Sequence, residues 1–230
     1  DEVLHSNLGG QGPDSGDEGI VYRAKDIIPE QPELELLITV NATDAYKAGH
    51  ASMNGIHGKY GLITVKAGNE ADFTFKVLDA VTREPKALEK QEVTFFDLDQ
   101  SASGDNQEYV EAKGFTNLWL TTNTEIVQSE VDGKTKFMSS KPGSGADNPK
   151  DPTALTVQQK NRAVSLEFKD FTELTFTLGC TDGRYARYFM FVLRPSLVCA
   201  KTTGDVEDGE DEVVSVLDTT LAPSTAVTTA

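Results

Sequence analysis

Residues 97–108, Asp-Leu-Asp-Gln-Ser-Ala-Ser-Gly-Asp-Asn-Gln-Glu, place oxygen side chains at a spacing that suits a hard cation. An EF-hand loop binds calcium from positions 1, 3, 5, 9 and 12. Five residues stand at those positions here: Asp97, Asp99, Ser101, Asp105 and Glu108. Ala102 replaces the glycine that the sharp turn of an EF-hand requires, and the flanking sequences are typical of strands. The segment therefore predicts a calcium site of another kind, in a loop between two strands.

An acidic loop of this kind also has an ordinary interpretation, a solvated turn that binds nothing. In an extended chain alternate residues share a face, so Asp97 and Asp99 are expected on one side, with Glu108 closing the loop. Calcium and the solvated turn both remain open from the sequence.

Strands must position this loop, because alternating hydrophobic residues recur along the chain. Asp72 to Leu78 places Phe73, Phe75 and Val77 on one face, and similar segments recur between turn signals up to Leu193. Period-two patterning with regular turns predicts an all-β fold. We expect an antiparallel β-sandwich, jelly-roll-like, with long loops and an acidic C-terminal tail. Residues 155–162 are expected to form at most one short helix or turn.

The composition changes near residue 200. Residues 201–230 are first acidic and then rich in Thr, Ala and Ser. This pattern predicts a β-sandwich domain over residues 1–200 and a tail or linker over residues 201–230.

Two cysteines and one sequon indicate an oxidising compartment. Cys180 and Cys199 flank a hydrophobic stretch that could turn once, which predicts a disulfide; two buried thiols are the alternative. Asn41-Ala42-Thr43 is an N-glycosylation sequon. The sequence begins at Asp1 without methionine, as expected of a processed secreted chain. We expect a secreted or cell-surface location, or else an oxidising organelle lumen.

The formal net charge is −16, from 37 acidic and 21 basic residues. So negative a surface repels phosphate backbones and attracts cations, which disfavours nucleic-acid partners. No apolar run approaches the ~20 residues that a membrane-spanning helix needs.

Templates for catalysis are not found in the sequence. No nucleophile elbow, metalloprotease histidine pair or phosphate-binding loop occurs. His50 and His57 lack further ligands at zinc spacing. Trp119 is a weak candidate for stacking on a sugar, although such residues more often lie in a strand or core. We therefore predict that the protein is not an enzyme.

Several segments carry a resemblance in an ordered set, among them LGGQGPDSGDEGIVYR, NGIHGKYGLITVKAG, FTFKVLD, VTFFDLDQ and DNPKDPTALTVQQKNRAVSLEF. Together they resemble secreted or surface β-sandwich domains of unicellular algae and bacteria, over roughly residues 8–193. The resemblance brings no defined activity. It implies a cation-binding strand and loop at Asp97, Asp99 and Glu108.

The predicted function is a noncatalytic secreted or lumenal binding or adhesion module, stabilised by calcium. Its expected partners are other extracellular or lumenal proteins or glycans, and assembly with neighbouring chains is possible. One alternative is a structural subunit of a larger extracellular or lumenal assembly. A second alternative is a carbohydrate-active enzyme that uses paired carboxylates.

Overall fold

The computed structural model describes residues 2–25, 28, 31, 34–193, 197–203 and 212–216. The acidic and Thr-rich parts of the predicted tail lie mostly outside these residues. Within the predicted tail, residues 201–202 and 213–215 pair with strands of the preceding chain, and the boundary near residue 200 and the character of the rest of the tail stay predictions.

Strands dominate the described residues. In chain order they are β1 (Glu2–Asn7), β2 (Gly19–Ala24), β3 (Leu36–Ala42), β4 (Gly55–His57), β5 (Tyr60–Val65), β6 (Glu70–Asp79), β7 (Leu88–Phe96), β8 (Glu108–Ala112), β9 (Asn117–Thr121), β10 (Ile126–Val131), β11 (Lys134–Ser139), β12 (Ala154–Leu155), β13 (Val164–Phe171), β14 (Glu173–Cys180), β15 (Arg187–Val192), β16 (Lys201–Thr202) and β17 (Val213–Ser215). One short helix, α1, spans Val157–Asn161, where Thr156 and Gln159 form a capping box.

Two large antiparallel sheets form a sandwich, which confirms the predicted fold class. One sheet has eight strands in the order β1-β2-β3-β6-β14-β8-β11-β10, and the other has seven in the order β17-β9-β13-β7-β15-β5-β4. A short parallel pair, β12 and β16, lies apart from both. None of the described helices is long and apolar enough to cross a membrane.

Aromatic rings join the two sheets. Phe176 on β14 packs edge-to-face against Phe75 in its own sheet and against Phe95 and Phe168 of the opposite sheet, with ring centroids 5.1–5.7 Å apart. This geometry is favourable for aromatic pairs. The alternation in β6 matches this core: Phe73, Phe75 and Val77 are buried between the sheets, and the residues between them are more exposed.

The outer face of the seven-stranded sheet is covered as well. A second apolar cluster contains Phe96 and Met190 on that sheet, with Leu155 and Leu197 from the segments that cover it. Strands buried on both faces are apolar at consecutive positions. This explains why β15 contains the run Phe189 to Val192, which does not alternate.

The predicted disulfide between Cys180 and Cys199 is absent from the structure. Cys180 ends β14 in the eight-stranded sheet, where it is buried and its thiol donates to the Lys66 carbonyl at 3.4 Å. The chain then crosses to the seven-stranded sheet as β15, and Cys199 lies exposed in a short helical turn beyond it. The expected hairpin between the cysteines does not form among the described residues, because that stretch contains one strand, β15, followed by the helical turn at Leu197–Cys199.

Candidate functional site

Residues 97–107 connect β7 of one sheet to β8 of the other, so this loop lies at an end of the sandwich. Asp97 adopts a left-handed backbone conformation (φ 61°), which is uncommon for a residue with a side chain. Gln100 then forms an isolated parallel bridge with Pro142, and the Gly143 N–H donates to its carbonyl at 3.1 Å. The loop is thus held against residues 141–143.

Asp99 forms a buried ion pair that the sequence did not indicate. The Arg187 Nη1 donates to Asp99 Oδ1 at 2.8 Å, with the two side chains 15% and 7% exposed. The Arg187 Nε is also buried and has no hydrogen-bond partner among the described residues. Gly143 makes this packing possible, because a Cβ there would lie 1.8 Å from Asp99 Oδ2.

Glu108 is held by main-chain groups. Its Oε2 accepts from the Asp99 N–H at 3.0 Å and its Oε1 accepts from the Tyr188 N–H at 3.2 Å. Burial and the nearby Asp99 charge raise the pKa of Glu108 well above its ordinary value. For Asp99, burial raises the pKa to about 6, although Arg187 and Arg162 act in the opposite direction. Because the Asp99 and Glu108 carboxyls are close together, a negative charge on one disfavours the loss of the proton from the other.

Asp97 differs from its two neighbours because its carboxylate has no hydrogen-bond partner among the described residues. Only 8% of the residue is exposed, and it lines a cleft of about 500 Å³. Burial raises the pKa of Asp97 to about 8, and the charges of Asp99 and Asp147 add to this effect. An unpaired buried carboxylate is costly, so it either keeps a proton or takes a positively charged or hydrogen-donating ligand.

The cleft contains both polar and apolar groups. Its walls include Tyr185, Tyr188, Met53, His57 and Asn148, in addition to the three carboxylates. Tyr188 stacks on His50, and its hydroxyl hydrogen bonds to His50 Nδ1. Tyr185 is 59% exposed at the surface. A pocket with aromatic walls and a few polar groups is the usual form of a binding site.

The tip of the loop does not join the cleft carboxylates. Ser101 lines the cleft, but its hydroxyl hydrogen bonds to Asp105, which is exposed and lies outside the cleft lining. Hydrogen bonds from Ser101 and Ser103 lower the pKa of Asp105. Of the five residues predicted from spacing, Asp97, Asp99 and Glu108 therefore lie together, Ser101 is beside them and Asp105 points away.

A second arginine, Arg162, is buried and supports the same region. Arg162 donates to Glu125 Oε2 at 2.7 Å, to Asp147 Oδ2 at 2.8 Å and to the Pro142 carbonyl at 2.8 Å. Asp147, Glu125 and the three cleft carboxyls thus face two guanidinium groups. Burial is the main cause of the raised pKa values of the three cleft carboxyls, and the negative charges of neighbouring acids, Asp147 among them, add to it.

The metal question stays open. Within the described ranges, no group of three or more His, Cys, Asp or Glu side chains stands in a metal-binding arrangement. The five-residue calcium site predicted from the sequence thus stays a prediction, and calcium would have to draw the cleft carboxylates closer together.

The other candidates lie elsewhere. Trp119 is half-buried on β9, paired with Ser165 and Ser215, and does not line the cleft. Asn41 is the penultimate residue of β3, and its Nδ2 donates to Glu18 Oε2 at 2.7 Å, while Thr43 of the sequon is exposed. Glycosylation at Asn41 stays a prediction, and a glycan there would replace the contact with Glu18.

Stability should depend on pH through Asp97. Its folded-state pKa of about 8 exceeds the value of about 4 for an unfolded aspartate, so between these values the native chain keeps a proton that the unfolded chain has lost. In calcium-free buffer, Asp97→Asn should therefore gain stability relative to the wild type as the pH rises from 5 to about 8, and the gain should then level off. Urea unfolding at several pH values measures this.

The matched control is Asp105→Asn in the same loop. Because the pKa of Asp105 is lowered, its substitution should give no gain that increases with pH. Parallel pH profiles for Asp97→Asn and the wild type would contradict the placement of Asp97.

Sequence signals for the two arginines are weak but present. Arg187 begins the otherwise apolar strand RYFMFV, and Arg162 precedes the buried strand β13. A charged residue next to a strand buried on both faces needs a partner, but the sequence alone does not tell which of its many acids supplies it.

Comparisons with known proteins give structural likeness only. No protein-family model matches the chain, and no curated protein matches it in sequence. The N-terminal domain of the Streptococcus gordonii adhesin Sgo0707 is 11% identical, with a TM-score of 0.44, over 83% of this chain and 47% of that chain. This chain therefore spans about half of that structure.

Structures of two further proteins are similar at the same level. The adhesin domain of PrgB from Enterococcus faecalis is 13% identical over 83% of this chain and 65% of that chain, with a TM-score of 0.42. The same domain was also solved bound to DNA. Glucan Binding Protein C of Streptococcus mutans is 12% identical over 87% of this chain and 68% of that chain, with a TM-score of 0.41. At this level no ligand is carried over, and the prediction that nucleic acid is not a partner stays a prediction.

Proposed function

We propose that the chain is a noncatalytic binding module of a secreted or cell-surface protein, and that it holds its ligand in the cleft beside Asp97. The observation that carries the proposal is Asp97: the residue is 8% exposed, its carboxylate has no hydrogen-bond partner among the described residues, and it lines a cleft of about 500 Å³. A ligand that brings a cation or hydrogen-bond donors compensates this group. The walls of the cleft supply aromatic and apolar contacts.

The hydrogen bonds and ion pair that hold Asp99 and Glu108 favour a binding function over glycoside hydrolysis. A glycosidase needs two carboxyl groups that face the substrate, one as acid and one as base or nucleophile. Both oxygens of Glu108 accept main-chain N–H groups, and Asp99 is paired with Arg187. These two carboxylates are engaged in supporting the loop, which leaves Asp97 to meet a ligand.

Calcium is the counter-charge that we propose for this site. The five carboxyls around Arg162 and Arg187 exceed the two positive charges, and hard cations prefer carboxylate oxygens. Calcium bound at Asp97, with Asp99 and Glu108 beside it, would remove the unfavourable charge and stabilise the loop at the end of the sandwich.

Calcium should raise the thermal midpoint of unfolding. At a hundredfold excess over its dissociation constant, a ligand of the native state adds about 2.7 kcal/mol, or roughly 5–10 °C for a chain of this size. Melting is measured in millimolar calcium and in chelator, for the wild type and for Asp97→Asn. The wild type should respond and Asp97→Asn should not.

Asp105→Asn again separates the two possible sites. It removes the same charge from the same loop but lies outside the cleft, so its calcium response should equal that of the wild type. An equal loss of the response in both variants would favour the five-residue loop predicted from the sequence. An unchanged wild-type midpoint would remove calcium from the proposal.

The ligand itself is sought among extracellular glycans and proteins. On a glycan array, Asp97→Ala should abolish binding, whereas Trp119→Ala should leave it unchanged because Trp119 lies outside the cleft. The reverse pattern would place the binding surface on β9 and contradict the cleft as the binding site.

A further inference from the structure

We propose that β10 is a self-association edge, and that it pairs antiparallel with β10 of a second copy of this chain. The two eight-stranded sheets would then form one continuous sheet across a two-fold axis. This interface lies apart from the cleft, and it provides the contacts that a structural subunit of an assembly requires.

Strand β10 is the long unprotected edge among the described residues. Its six residues pair with β11 in an unbroken register, and residues 127–131 are all exposed. It contains no proline, lysine or bulge, which are among the devices that block edge pairing, and the carboxylate of its one charged residue, Glu130, accepts a hydrogen bond from Thr135 of β11. The other sheet edges differ, since β1 has a register shift between Val3 and His5, and β4 and β17 have three residues each.

The hydrogen bonds to β11 show which main-chain groups face outward. Val131 and Lys134 close a two-residue turn, and the Ser140 N–H donates to the Glu125 carbonyl at 3.1 Å. In an antiparallel pair, residues alternate between those bonded to the partner strand and those directed away from it. Residues 125, 127, 129 and 131 therefore face β11, and residues 126, 128 and 130 face outward.

One of the outward N–H groups already has a partner, because Ile126 donates to the Thr124 hydroxyl at 3.2 Å. The main-chain groups of Gln128 and Glu130 remain for a new strand. One symmetric register uses all the outward main-chain groups of Gln128 and Glu130. In this register Gln128 of each copy lies opposite Glu130 of the other, and each of these two pairs forms two main-chain hydrogen bonds. The two-fold axis then passes between the two Ser129 residues.

The side chains match in this register. Val127 and Val131, which are 55% and 36% exposed, fall directly opposite each other across the axis, so two valine pairs form on the outer face of the sheet. Cross-strand pairs of β-branched residues are stabilising. Glu130 meets Gln128 rather than another acid, so no like charges are opposed. The strand is therefore complementary to itself.

The net charge of −16 opposes association at long range. At physiological ionic strength this repulsion is screened beyond about 8 Å. Dimerisation should therefore strengthen as salt rises from about 10 to about 150 mM. A dimer held mainly by ion pairs would respond in the opposite direction.

The position of Ser129 on the axis gives a specific test. Ser129→Lys and Ser129→Glu each place like charges opposite one another, and each should weaken the dimer roughly fivefold or more. An equal mixture of the two variants places opposite charges on the axis and should restore the dimer as a heterodimer. Sedimentation velocity over a concentration series, together with native mass spectrometry, measures the species.

Thr175→Lys is the matched control, because Thr175 is exposed on β14 of the same sheet but inside it rather than at its edge. It should leave the dimer unchanged, and circular dichroism should show that every variant is folded. A wild type that stays monomeric at high concentration and 150 mM salt would overturn the proposal. So would a mixture of the two Ser129 variants that associates no better than either alone.

Discussion

Arg187→Ala should lower the free energy of unfolding by about 3–5 kcal/mol, the usual cost of removing one partner from a buried ion pair. The substitution leaves Asp99 buried without its guanidinium partner, where burial and the nearby Asp147 charge already disfavour its ionisation. Urea unfolding at neutral pH measures the loss.

The loss should become smaller in acid. Asp99 accepts a proton below a pKa of about 6 in the intact protein, and a protonated Asp99 no longer needs a positive partner. Removing Arg187 raises this pKa further, so the part of the loss that comes from the Asp99 charge, about 1.4 kcal/mol at pH 7, should disappear as the pH falls from 7 to 5. A loss that does not change with pH would show that Arg187 contributes through packing rather than through its charge.

Arg184→Ala is the control for the loss of an arginine nearby. Arg184 is exposed and lies over the Tyr185 ring, 5.3 Å from its centroid. Its removal should change stability by less than about 0.5 kcal/mol, as is usual at the surface. Equal losses for Arg184→Ala and Arg187→Ala would contradict the buried ion pair.

Phe176→Ala should also cost about 3–5 kcal/mol, for a different reason. Phe176 is fully buried and contacts three other phenylalanine rings, two of which belong to the opposite sheet. Alanine would leave a cavity between the sheets and remove all three edge-to-face contacts. Denaturant unfolding gives the loss, which should not vary with pH between 5 and 8.

Val81→Ala is the apolar control, because Val81 is 90% exposed. It should change stability by less than about 0.5 kcal/mol. If Phe176→Ala cost no more than Val81→Ala, the two sheets would not share the core that the structure shows.

The strands could be predicted because their signal is local. The alternation of Phe73, Phe75 and Val77 depends only on the two-residue period of an extended chain, and the structure buries all three. The short helix was likewise expected near residues 155–162, where Thr156 and Gln159 cap α1. Strand order was not predictable, because strands with similar patterns can pair in many ways.

The disulfide prediction was wrong for the same reason, because it depended on which strands pair. The hydrophobic stretch between Cys180 and Cys199 is long enough for a hairpin, but a hairpin requires two strands in that stretch that pair with each other. The described part of this stretch contains one strand instead, β15, which begins at Arg187 and pairs with β5 and β7 of the seven-stranded sheet. Local spacing cannot show which sheet a strand joins.

By itself, the amino-acid sequence determined that this chain forms strands with one apolar face, and that an acidic loop joins two of them near residue 100. Only the tertiary structure decided which acids act together. It buried Asp97, Asp99 and Glu108 beside Arg187, almost ninety residues further along the chain, and turned Asp105 outward. The reason is physical: alternation depends on neighbouring residues, whereas burial and ion pairing depend on which distant strands meet.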